Sequence, residues 1–107
     1  MASVFYEQIA QANAWLDESN AGMQSEVDDI CRILKIAEEG GEAAQAYIGW
    51  IGQNPRKGKT HTREEVLDEL ADVAITAICA IQHFTLSASR TEGIVRRKMD
   101  KITKRIS

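Results

Sequence analysis

The chain carries a single proline, Pro55, and no pair of alternating apolar and polar runs joined by a tight turn, so neither a β-hairpin nor a β-sandwich is expected. Internal repeats and low-complexity segments are also missing. No apolar run approaches the ~18–20 residues a membrane span requires. The opening residues MASVFYEQIAQ lack the basic start and apolar block of a secretory leader, which sets the expectation of a cytoplasmic protein. Cysteines number two, Cys31 and Cys79, both on apolar-leaning helical stretches. They are too few, and too far from either histidine in sequence, for a zinc site. They read as buried free thiols rather than a disulfide.

What is present is a helical, globular composition: 107 residues, 44% hydrophobic and 27% charged. One small domain spanning 1–107 fits this length. Its core is modest, so burial in a homodimer or homotetramer is expected. The net charge of −3 hides an asymmetry. Residues 96–105 hold Arg96, Arg97, Lys98, Lys101, Lys104 and Arg105 against Asp100 alone, giving +5 there and −8 over the rest. An acidic middle with a basic tail suits an anion held together with metal cations.

Four helices follow from the periodicity. The first covers about residues 3–18, with Phe5, Ile9, Ala12 and Leu16 as its apolar stripe. The second covers about 23–51, with Val27, Ile30, Leu34 and Gly41 on one side. Gly52 to Lys59 is a turn-rich connection. Thr62 and Glu65 form a capping box that opens a third helix, reaching about Leu86. Ser89 and Glu92 form a second box and open a fourth, with Val95, Met99, Ile102 and Ile106 as its stripe. The expected class is all-α, a four-helix bundle-like arrangement around an antiparallel helical hairpin and completed by oligomerisation.

The segment AEEGGEAAQ, residues 37–45, places three carboxylates and two glycines in the middle of the second helix. Residues three apart share a helix face, ~5–6 Å apart at Cβ. Glu39 and Glu42 are such a pair, and so are Glu69 and Asp72 on the third helix. In an antiparallel hairpin, Glu42 and Asp72 each lie about 15 Å from the connection and face one another. Four carboxylates then converge from two helices. Their mutual repulsion calls for raised pKa values or bound cations. An all-oxygen donor set selects hard cations, Mg²⁺ or Mn²⁺. The competing account is an ordinary solvated acidic face. Gly41 is expected to allow close helix approach behind the acids; Gly40 has no such explanation.

The paired motif, Lys35-Ile36-Ala37-Glu38-Glu39-Gly40-Gly41-Glu42 followed by Glu69-Leu70-Ala71-Asp72-Val73, resembles the MazG-like all-α nucleoside triphosphate pyrophosphohydrolases over roughly residues 27–86. The resemblance implies Mg²⁺-dependent cleavage of a (d)NTP between the α and β phosphates, giving (d)NMP and pyrophosphate. Glu39, Glu42, Glu69 and Asp72 match the family's metal ligands. Glu38 matches the first acid of its Glu-Glu pair and is the candidate proton acceptor. On the fourth helix Lys98, Lys101 and Arg105 share a face and correspond to phosphate-binding cations, although Ile102 stands where the family carries asparagine. Trp50, eleven residues beyond Glu39 and on the same face, is a candidate for stacking on a base. Asn54 and Lys57 in the connection are candidates for contact with ribose or phosphate. His61, just before the third helix's cap, is expected to face solvent.

Three other functions are weighed against this one. A di-iron bundle needs Glu-x-x-His, and Gly58 and Ala80 stand three residues before His61 and His83. Phosphoribosyl-ATP and dUTP/dCTP-type pyrophosphatases share the acidic pairs, so the motif does not separate them. A non-enzymatic module binding phosphate or nucleic acid through residues 96–105 would be expected to interleave aromatics with its basic face, and this one has none.

Overall fold

The computed structural model describes residues 1–107, and the chain is helical with no strand. The helices are α1 (Val4–Ser19), α2 (Ser25–Ile51), α3 (Arg63–Thr85) and α4 (Ala88–Ile106). None is long and apolar enough to cross a membrane. The chain divides into two compact units, Met1–Met23 with Ile78–Ser107, and Gln24–Ala77, and α3 runs from one into the other.

In the first unit α1 packs against α4. Ile9 and Asn13, four residues apart on α1, are its buried positions. The two helices are also tied by charge. The Ser3 backbone N–H at the head of α1 donates to Glu92 Oε1 at 2.8 Å, and Arg96 Nε donates to Glu92 Oε2 at 2.8 Å. Glu92 therefore supplies an acceptor that the first turn of α1 lacks internally. Those two hydrogen bonds, the backbone one first, hold its carboxyl below the usual range. Glu92 does not close a box with Ser89. The cap of α4 is Ser87, whose Oγ accepts from Arg90 N at 3.2 Å. Between α3 and α4, Leu86 takes a left-handed φ of 57°. Thr91 is fully buried just beyond it and donates to Gln82 Oε1 at 2.8 Å.

In the second unit α2 ends on Gly52 in the left-handed conformation that a helix stop favours. The box at the head of α3 forms as the sequence implies: Glu65 N–H donates to Thr62 Oγ1 at 3.2 Å, and Thr62 N–H donates to Glu65 Oε1 at 3.0 Å. The buried face of α2 differs from the expected one. It consists of Arg32, Ala43, Ala46 and Gly49, while Val27, Ile30 and Leu34 are exposed. Small residues let a neighbour approach closely, and at Gly49 Thr60 and His61 occupy the space beside the backbone. Arg32 is tolerated inside because Asp28, one turn back, accepts from its Nε at 2.9 Å. Cys79 is buried as expected, whereas Cys31 is exposed; neither forms a disulfide.

Candidate metal centre

The acidic residues of α2 and α3 meet inside the second unit. Glu39, Glu69 and Asp72 each present a carboxylate oxygen within 4.8 Å of the other two. Helical spacing accounts for half of this, since Glu69 and Asp72 are i, i+3 neighbours. The hairpin accounts for the rest by bringing Glu39 opposite them. Glu42, the fourth expected ligand, stands outside that group of three and is exposed. Its carboxyl is near enough to that of Glu39 to repel it.

The electrostatics show unmet demand for positive charge. Burial raises the Glu39 carboxyl above its ordinary value, and repulsion from Glu42 and Asp72 adds to the shift. Lys35, with Nζ 3.6 Å from Glu39, opposes it only in part. Its ammonium sits closer to Glu38, at 2.6 Å. Glu69 Oε2 is completely buried and has no hydrogen-bond partner. Leaving such an atom unpaired costs about 1–3 kcal/mol, so native structures seldom do so without a reason. A hard cation would satisfy Glu69 Oε2 and relieve Glu39 in one step.

The glycines beside the acids do not work as expected. A side chain built at Gly40 or Gly41 meets nothing within 4 Å, so neither provides close helix approach. The position that does is Gly49, two turns further along. A Cβ there would overlap His61 Nδ1 and Thr60 Oγ1.

The remaining candidates fall in three places. Glu38 is exposed, paired with Lys35, and not one of the group of three. Trp50 is half-buried and packs edge-on against Tyr47, with ring centroids 5.8 Å apart. Asn54 organises the connection: its Oδ1 accepts from Arg56 N–H at 3.0 Å, and its carbonyl accepts from Gly58 N–H at 3.0 Å. Asn54 and Lys57 line a cleft of about 250 Å³ together with Gln45, Gly49, Thr60 and His61. Those last four escaped the sequence reading. His61 is half-buried rather than solvent-facing, with Nδ1 2.9 Å from Thr60 Oγ1. The only local signal for this cleft was a glycine at position 49 inside a helix, where it costs ~1 kcal/mol against alanine. Lys98, Lys101 and Arg105 are exposed on α4, in the first unit. Lys98, Lys101 and Ile102 border an apolar groove with Ile94 and Met99.

Comparison with known families, with characterised proteins and with solved structures finds no match to the chain.

Proposed function

We propose that the chain is a Mg²⁺-dependent nucleotide pyrophosphohydrolase of the MazG-like kind, cleaving a (d)NTP to (d)NMP and pyrophosphate. The observation that carries this reading is the orphaned Glu69 Oε2, buried inside a group of three carboxylates from two helices. The donor set is all oxygen, which suits Mg²⁺ or Mn²⁺ and disfavours zinc or copper. Glu39, Glu69 and Asp72 would hold the ion, with Glu42 beside Glu39 as a further oxygen donor.

A divalent cation at such a site neutralises phosphate charge and acidifies a bound water. The chain's own contribution is to fix the carboxylates and supply a base. A ligand carboxylate or Glu38 would take the proton of the attacking water. Glu38 can take that role only by leaving Lys35, its partner at 2.6 Å. The exposed Val27, Ile30 and Leu34 of α2 support self-association into a dimer or tetramer.

The test is pyrophosphate release from a panel of NTPs and dNTPs, with Mg²⁺ and with EDTA. Metal-dependent release from at least one substrate is the expected result. No release from any of them would remove the proposal. Salt-sensitive DNA binding that ignores EDTA would favour a nucleic-acid-binding module instead.

A further inference from the structure

The connection between α2 and α3 builds a second feature, the cleft lined by Gln45, Asn54, Lys57, Thr60 and His61 over Gly49. Its walls are fixed rather than loose. Thr60 N–H donates to the Gly49 carbonyl at 2.9 Å, anchoring the end of the connection to α2. Gly49 leaves the space that Thr60 and His61 occupy. Gly52 and Gly58 take left-handed φ values of 67° and 65°, which let the chain turn back on itself. Asn54 closes the turn with its side chain and its carbonyl.

The chemistry of the lining narrows what fits. A volume of about 250 Å³ is the share of roughly eight waters, enough for a ring system and more than a single anion needs. No Phe, Tyr or Trp lines it and its one ring is the His61 imidazole, so recognition runs mainly through hydrogen bonds. Asn54 Oδ1 is already taken by Arg56 N–H, so Asn54 offers its amide hydrogens. His61 Nδ1 faces Thr60 Oγ1, leaving Nε2 as the ring's open nitrogen. Lys57 offers donors only, and Gln45 offers both donors and an acceptor. The lining is thus donor-rich and suited to carbonyls, ring nitrogens and sugar hydroxyls. Along α2, Gln45 lies ~9 Å and Gly49 ~15 Å beyond Glu39, within the same compact unit.

We propose that this cleft receives the base-and-sugar end of the nucleotide, recognised by hydrogen bonding from Gln45, Asn54, Lys57, Thr60 and His61. The assignment of a nucleotide rests on the pyrophosphohydrolase reading, while the cleft and its donors do not.

The experiment uses the two histidines of the chain, His61 and His83, as separate reporters in an NMR spectrum of the full chain. Nucleoside monophosphates are titrated in EDTA, so that the acidic group plays no part. Saturable shifts of the His61 ring signals are expected with at least one monophosphate, with His83 unmoved and pyrophosphate alone without effect. Gln45→Ala, at an exposed helical position, should weaken that binding about fivefold, the loss of one hydrogen bond. Gly49→Ala, which displaces Thr60 and His61, should abolish it. His61 signals unmoved up to the solubility limit of every monophosphate, or moved equally by pyrophosphate, would overturn the proposal. If His61 responds while no triphosphate is hydrolysed with Mg²⁺, the cleft stands and the hydrolase reading falls. If hydrolysis occurs while His61 is silent, the reverse holds.

Discussion

Replacing Glu69 by glutamine should make the metal-free protein more stable, which runs against the usual effect of altering a residue inside a fold. Glu69 Oε2 is buried without a hydrogen-bond partner, and Glu39 and Asp72 each bring a carboxylate oxygen within 4.8 Å of a Glu69 oxygen. The substitution removes one negative charge and keeps the shape. It also turns an orphaned acceptor into an amide that can donate to either neighbour. Recovering the cost of one unsatisfied buried group is worth about 1–3 kcal/mol. For a domain of this size, each kcal/mol raises Tm by about 4–8 °C. With Mg²⁺ the order should reverse. At a free concentration of about 1,000 times Kd the wild type gains about 4.1 kcal/mol, more than the variant recovers. The variant, with one oxygen donor neutralised, gains far less. Thermal melts followed by circular dichroism, in EDTA and across a Mg²⁺ series, measure both halves. A variant less stable than wild type in EDTA, or equally stabilised by Mg²⁺, would mean that Glu69 is neither an unsatisfied group nor a ligand.

Three further outcomes follow from the same structure. Gly41→Ala, whose Cβ meets nothing within 4 Å, should raise stability by ~0.5–1 kcal/mol through helix propensity alone, read from a urea midpoint. Leu86 is held at a φ of 57°, so Leu86→Gly should stabilise by about 1 kcal/mol by relieving a left-handed conformation that costs a non-glycine residue ~1–2 kcal/mol; a drop in the midpoint would contradict this. Glu92 has a lowered pKa in the fold, so its contribution is fully present above the ordinary glutamate value of 4.5 and disappears as pH falls through the lower folded value. The stability gap between wild type and Glu92→Gln should therefore be widest near neutral pH and shrink below 4.5.

The sequence was readable where the determinants are local. The Thr62–Glu65 box needs four residues and forms where the pattern places it. Helix bounds agree to within one or two residues because breakers and periodicity are local too. The Glu-x-x-Asp spacing on α3 put Glu69 and Asp72 on one face without reference to the rest of the chain. Failures came where a partner arrives from elsewhere. Ser89 and Glu92 have the spacing of a box, yet Glu92 binds Ser3, 89 residues away, and Ser87 caps the helix. Val27, Ile30 and Leu34 form a proper apolar stripe, but α2 buries Ala43, Ala46 and Gly49 instead, and at Gly49 the neighbours are Thr60 and His61 from the connection. Gly41 looked like the packing glycine because it adjoins the acids, whereas Gly49 is the one that Thr60 and His61 press against. The burial of Glu69 Oε2 could not be read at all, since it depends on how two helices separated by a turn come together.

A cation shared by α2 and α3 can be probed directly with Mn²⁺ through its electron paramagnetic resonance signal. Titrating Mn²⁺ into the wild-type chain should show saturable binding that Mg²⁺ competes away. Glu39→Gln and Asp72→Asn, which alter ligands on α2 and α3 respectively, should each weaken it at least about tenfold, the scale of 1.4 kcal/mol, with helical circular dichroism unchanged. Wild-type affinity in both variants, or no binding in the wild type, would contradict the account.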